Sequence, residues 1–141
     1  MDEKDNEINP NDLADQYPVL WEIFTPIAKK NITLLLNYNP SLDLQLTAVN
    51  QDGNAIQYIK NPSEEVQLAA VKNSVYAIQS IKNPTEEVQL FAVKKVWQTI
   101  EYIENPSEQV QLASIRRNTY AYYDIKNPTP KVVSLVKSLR S

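Results

Sequence analysis

"IKNPSEEVQLAAVKN", the stretch from Ile59 to Asn73, returns twice further along the chain with few changes. It reads "IKNPTEEVQLFAVKK" from Ile81 to Lys95 and "IENPSEQVQLASIRR" from Ile103 to Arg117, each copy 22 residues after the one before. The Asn-Pro pair inside it recurs at the same interval, at Asn39-Pro40, Asn61-Pro62, Asn83-Pro84, Asn105-Pro106 and Asn127-Pro128. A fixed period of this kind is typical of proteins in which one small unit stacks repeatedly on its neighbours.

Each copy predicts two short helices. Ser or Thr follows the proline, and in the copy that begins at Asn61 the next two residues are Glu64 and Glu65. A hydroxyl here caps free backbone N–H groups, and carboxylates in the first turn interact favourably with the helix dipole. Apolar residues between Val66 and Val71 then cover most sides of the first helix, as expected of a helix packed between neighbours. The second helix is shorter and ends before the next Asn-Pro pair, and some copies are expected to be single turns or 3₁₀ helices.

The repeat predicts an all-α fold, an α-solenoid of about five two-helix repeats with a right-handed superhelix. The units begin near residues 17, 39, 61, 83, 105 and 127. The degenerate unit at 17 is expected to form the N-terminal cap, and the half unit at 127 the C-terminal cap. We therefore expect one repeat domain over residues 17–141. Residues 1–16 carry a net charge of −5 and are expected to form a flexible acidic tail.

The composition excludes several kinds of chemistry. The chain has one Gly, no Cys and no His. This removes glycine-rich phosphate loops, thiolate chemistry, the usual general base and the commonest zinc ligand. The acid pairs Glu64-Glu65 and Glu86-Glu87 recur in register, whereas an active site normally occurs once, so we interpret them as charges that complement helix dipoles. We expect no enzymatic activity, no cofactor and no metal site.

The chain has no apolar run of membrane-spanning length, which is about 18 residues or more. Its start is acidic and lacks the apolar core of a signal peptide. These features predict a cytoplasmic protein that does not associate with membranes.

A glutamine recurs at one place in every full unit, on the side of the first helix that is expected to pack. The four glutamines are Gln45, Gln67, Gln89 and Gln111. Because a buried amide must be hydrogen-bonded, we predict a structural ladder in which each side chain satisfies a backbone group at the turn of the adjacent unit. Leu in place of Gln67 or Gln89 is then expected to lower stability. A column of amides that reads a ligand is the alternative interpretation.

The second helices carry an unusual number of aromatic residues at positions predicted to face outward, namely Tyr58, Tyr76, Trp97, Tyr102, Tyr120 and Tyr123. Exposed Tyr and Trp are typical anchors of protein interfaces, so we predict a partner-binding face with Arg116 and Arg117 as its charged flank. The alternative for some of these residues, above all Trp97 and the inward-facing Tyr122, is packing between units. A second interpretation combines the aromatics with Lys94, Lys95 and the two arginines to stack bases and neutralise phosphates, which would make nucleic acid the partner.

The pattern "VQLAAVK" at Val66–Lys72, with "VQLFAVK" and "VQLASIR" in the later copies, resembles the first-helix signature of short HEAT-like repeats. The Asn-Pro punctuation is similar to that of leucine-rich-variant repeats, and the whole unit resembles repeats that recur in bacterial and phage proteins. This resemblance implies a helical solenoid used as a binding surface. It also implies an alternative function, a small phage-type inhibitor of a host defence nuclease, of the anti-CRISPR kind. Apolar residues at the two ends of the solenoid also leave a homodimer open.

Overall fold

The computed structural model describes residues 40–141, and this part of the chain is entirely helical, with no β-strand. Five α-helices alternate with four 3₁₀ helices along it. In chain order they are α1 (Leu42–Gln51), η1 (Gly53–Tyr58), α2 (Glu64–Asn73), η2 (Val75–Ser80), α3 (Glu86–Lys95), η3 (Trp97–Tyr102), α4 (Glu108–Arg117), η4 (Thr119–Asp124) and α5 (Pro130–Arg140). The predicted all-α class is confirmed over these residues. The predicted acidic tail and the first unit, which begins near residue 17, lie outside them.

Each α-helix begins where the repeat predicts, two residues after the proline. The N-cap hydroxyl accepts a hydrogen bond from the backbone N–H three residues later, for example Ser63 from Val66 at 3.4 Å and Thr85 from Val88 at 3.3 Å. The other three α-helices use Ser41, Ser107 and Thr129 in the same way. Each of these residues has extended backbone, which ends the preceding turn and directs the new helix away from it.

All four second helices are 3₁₀ helices of six residues. Each is closed by a hydrogen bond from the backbone N–H of the following isoleucine to the carbonyl three residues earlier, such as Ile81 to Ile78 at 3.1 Å. That isoleucine is extended, and two residues later the next Asn-Pro pair begins. A 22-residue period that already holds a ten-residue α-helix leaves too few residues for a second α-helix, so the tighter 3₁₀ form is used.

The core is a column of small and branched side chains contributed equally by each unit. In the unit that begins at residue 61, α2 supplies Val66, Ala70 and Val71, and η2 supplies Ile78, all with at most 1% of their surface exposed. The same positions are buried in the units that begin at residues 39 and 83, and one continuous cluster runs from Ala48 to Val136. Each helix packs mainly on the 3₁₀ helix of its own unit and on the helices of the units before and after it. The described chain is therefore a helical repeat of consecutively packed pairs.

The half unit at the C-terminal end provides one α-helix without a second helix. Val132 and Val136 of α5 are buried against the unit before, whereas Leu139 keeps 53% of its surface exposed. No helix in the described range 40–141 is long and apolar enough to cross a membrane.

Candidate interaction surface

Five tyrosines of the described 3₁₀ helices are exposed. Tyr58, Tyr76 and Tyr102 expose 39%, 45% and 38% of their surface, and Tyr120 and Tyr123 each expose 67%. We call this set the tyrosine face. The remaining exposed residues of the same helices are mostly amides, among them Gln57, Gln79 and Gln98. The segments of all four 3₁₀ helices contain no Lys or Arg.

Trp97 and Tyr122 differ from these tyrosines because both are half-buried and pack against the core. Trp97 is the first residue of η3, directly after the C-cap of α3. Tyr122 occupies the place that Ile56, Ile78 and Ile100 fill in the earlier units. Both side chains therefore contribute to packing, and Trp97 presents less surface to a partner than the five tyrosines do.

Ring contacts link the tyrosine face across a unit boundary. The rings of Tyr76 and Tyr102 meet edge-on, with centroids 6.4 Å apart and planes at 82°. Such pairs add stability beyond the burial of area, so this contact holds two side chains of consecutive units in a fixed relation. The pKa of the Tyr102 phenol is raised, chiefly by its hydrogen bond to the Glu101 carboxylate. Tyr102 thus stays a neutral hydrogen-bond donor throughout the ordinary pH range.

A second aromatic group forms around Tyr123. Its ring centroid lies 6.4 Å from that of Tyr120 and 5.9 Å from that of Tyr122. The Arg140 guanidinium of α5 lies over the Tyr123 ring at 4.9 Å and over the Tyr122 ring at 5.8 Å. Sequence reasoning did not find Arg140, because it lies in the half unit and none of the four full units has a cation at the matching place.

The predicted charged flank belongs to the α-helices. Arg116 and Arg117 are exposed in the last turn of α4, and Lys94 and Lys95 are exposed in the last turn of α3. Cations at a helix C-terminus interact favourably with the helix dipole, which accounts for both pairs without a ligand. The cation–ring contacts among the described residues are those of Arg140 and that of Lys72 with Phe91 at 6.0 Å. Neither the two arginines of α4 nor the two lysines of α3 therefore stack on tyrosines.

The recurring glutamines connect the helices to the turns. Each side-chain amide donates from Nε2 to the carbonyl of the proline that begins its own unit, at 2.8–3.0 Å. Two of them also reach the following unit: Gln67 Oε1 accepts from the Thr85 N–H at 3.1 Å, and Gln111 Oε1 accepts from the Thr129 N–H at 3.0 Å. These two side chains are buried, with 6% and 3% of their surface exposed.

The other two glutamines make fewer hydrogen bonds of this kind. Gln45 and Gln89 are half-buried, and the Oε1 atom of Gln89 is buried without a hydrogen-bond partner among the described residues. The unit that follows each of them begins with Ser63 or Ser107 in place of Thr. The amides that bridge two units are therefore those that precede a threonine cap.

This difference predicts unequal effects of Leu at two equivalent positions. Gln67→Leu leaves both the Pro62 carbonyl and the Thr85 N–H without their partner, and we expect a loss of about 1–3 kcal/mol in the free energy of unfolding. Gln89→Leu removes one bond and also an unpartnered buried oxygen, so we expect a loss smaller by about 1 kcal/mol or more. Urea unfolding followed by circular dichroism measures both values, and equal losses would contradict the bridging role of Gln67.

The acid pairs Glu64-Glu65 and Glu86-Glu87 are exposed in the first turns of α2 and α3. Residues 40–141 contain no group of three or more side chains suited to hold a metal ion. Comparison of the chain with protein-family models, with curated proteins and with solved structures finds no significant match.

Proposed function

We propose that this protein is a non-catalytic, protein-binding repeat module that acts through its tyrosine face. The observation that supports the proposal best is the set of five exposed tyrosines on the 3₁₀ helices of successive units. Tyr supplies a large, rigid and amphipathic contact area at low entropic cost, and it is enriched at protein interfaces. The exposed amides of the same helices, and the absence of cations from these four segments, resemble the composition of antibody paratopes.

The proposal includes the finer architecture. Within residues 40–141, units contact mainly their neighbours along the chain, and this favours a right-handed, HEAT-like α-solenoid in which second helices line one continuous surface. The Tyr76–Tyr102 contact across two units supports such a surface, because it requires the second helices of adjacent units to lie side by side.

The test is capture of a partner polypeptide from a lysate of the source organism, with the wild-type chain and a Tyr76→Ser/Tyr102→Ser variant as baits. We expect the variant to bind the identified partner at least about tenfold more weakly, since truncation of central aromatic anchors typically costs more than other interface changes. Isothermal titration calorimetry with the purified partner gives the two affinities. Equal binding by both baits would overturn the proposal. Gln98→Ser serves as a matched control on the same face.

Nucleic acid is the second candidate, favoured by the exposed cation pairs in the last turns of α3 and α4. Four cations neutralise few phosphates, and affinity for a nucleic acid rises with the number neutralised. The same capture experiment separates the two candidates. A partner that is lost after nuclease treatment, or with a Lys94→Gln/Lys95→Gln bait but not with the tyrosine variant, would favour nucleic acid.

A further inference from the structure

A groove of about 580 Å³ opens between the C-terminal ends of η1 and η2, where the chain turns toward α2 and α3. Its residues come from the ends of the units that begin at residues 39 and 61 and from the starts of the units that follow them, and are Gln57, Ile59, Lys60, Asn61, Pro62, Gln67, Ser80, Ile81, Lys82 and Asn83. The volume falls in the range of about 300–1,000 Å³ that is usual for ligand sites.

The polar lining of the groove is suited to an anion. Lys60 and Lys82 are its charged residues, and both are exposed, whereas no carboxylate lines it. The carboxamides of Asn61 and Asn83 add exposed donors. The nearest acids in sequence, Glu64 and Glu86, belong to the first turns of the two α-helices and are not part of the lining.

The interior of the groove is fixed by groups that already have partners. Ile59 and Ile81 form an apolar floor, each with 7% of its surface exposed. Gln67 uses its Nε2 on the Pro62 carbonyl and its Oε1 on the Thr85 N–H. It therefore shapes the wall of the groove, and the lysines and asparagines remain as the groups that can meet an occupant.

The charge of this groove is specific to its place in the chain because the repeat changes one unit later. Glu104 stands where Lys60 and Lys82 stand, and Glu101 stands where Gln57 and Gln79 stand. One unit further along, the equivalent set of residues therefore pairs Lys82 with Glu104, so its charges are one base and one acid instead of two bases. A departure of this kind from an otherwise regular repeat is where a repeat protein encodes the choice of partner.

We propose that this groove receives an acidic segment of the partner protein, an inference that rests on the proposed protein-binding function. Gln57 and Ser80 belong to η1 and η2, so the groove adjoins the tyrosine face next to Tyr58. Equivalent residues of adjacent units are separated by about the 8–10 Å between packed helices. An extended peptide covers that distance in about three residues, so two of its carboxylates can meet the two lysines.

The experiment uses the full chain and a fluorescein-labelled oligoglutamate peptide, titrated by fluorescence anisotropy at low ionic strength. We expect Lys60→Gln/Lys82→Gln to weaken binding by about tenfold, the combined effect of two partly exposed ion pairs. Lys94→Gln/Lys95→Gln makes the same change in net charge on the other side of the repeat, and we expect little effect. Since all four lysines are exposed, both variants are expected to fold, which circular dichroism checks.

The following results would overturn the inference. Undetectable binding of oligoglutamate to the wild-type chain, or equal losses in both lysine variants, would show that the groove does not select an acidic segment. Tighter and Lys60/Lys82-dependent binding of an oligothymidylate of equal length would assign the groove to nucleic acid. Failure of the proposed function is separate, because it appears as undiminished partner capture by the Tyr76→Ser/Tyr102→Ser variant while oligoglutamate binding stays intact.

Discussion

Ile100→Ala is expected to lower the free energy of unfolding by about 2–5 kcal/mol, the usual cost of truncating a buried branched side chain. Ile100 lies in the middle of η3 with 0% of its surface exposed. A 3₁₀ helix of six residues has few hydrogen bonds of its own, so η3 depends on this side chain for its place in the core. The loss is large beside the total stability of an ordinary domain, about 5–15 kcal/mol.

Chemical unfolding monitored by circular dichroism measures this effect. Gln98→Ala is the matched control, because Gln98 is an exposed residue of the same 3₁₀ helix, and we expect it to change stability by less than about 0.5 kcal/mol. A similar small change for Ile100→Ala would mean that the second helices do not share the core.

Gly53→Ala is expected to lower stability by about 1–3 kcal/mol, as overpacking of a tight contact does. A Cβ at residue 53 would lie 2.5 Å from the carbonyl oxygen of Ala70. That oxygen also accepts the Ser74 N–H at the end of α2, so it cannot move aside without breaking the helix end. Asn73 closes the same junction, because its Oδ1 accepts from the Gly53 N–H at 2.7 Å and its Nδ2 donates to the Asn50 carbonyl at 2.9 Å.

Two measurements check this prediction. Thermal unfolding gives the loss of stability, and the NMR signals of the Asn73 side-chain amide report whether η1 has moved away from α2. Asn54→Ala adds no volume at this contact and keeps the hydrogen bond from the Asn54 N–H to the Asp52 Oδ1, so it is a suitable control. If Gly53→Ala leaves both stability and the Asn73 signals unchanged, the close approach of η1 to α2 does not limit this position.

Much of the local structure could be predicted because it is specified by residues that lie only a few positions apart in the sequence. A hydroxyl after each proline specifies where an α-helix begins, and the structure places Ser63, Thr85 and Ser107 at N-caps. Asp52, between the two helices of its unit, both ends α1 and caps η1. Repetition reinforced these signals, since the same pattern predicts the same element in every unit.

Features that depend on small shifts between units were not accessible from the sequence. Four equivalent glutamines gave no indication that Gln67 and Gln111 bridge two units while Gln89 does not. Prediction of the groove that contains Lys60 and Lys82 also requires knowing which turns lie side by side. For the candidate site, the sequence identified the exposed tyrosines, but it did not separate them from the half-buried Trp97 or associate Arg140 with Tyr123.

The difference in hydrogen bonding among the recurring glutamines affects how the repeat responds to force. Gln67 joins the units that begin at residues 61 and 83, and Gln111 joins the unit that begins at residue 105 to the last half unit. The boundary between the units that begin at residues 83 and 105 has instead the unpartnered Gln89 oxygen. Across that boundary, the side-chain hydrogen bond that the described residues supply runs from Ser107 to the Glu86 carboxylate. Under tension applied to its two ends, the exposed hydroxyl–carboxylate bond at this seam should therefore break before the part-buried bonds that Gln67 and Gln111 make.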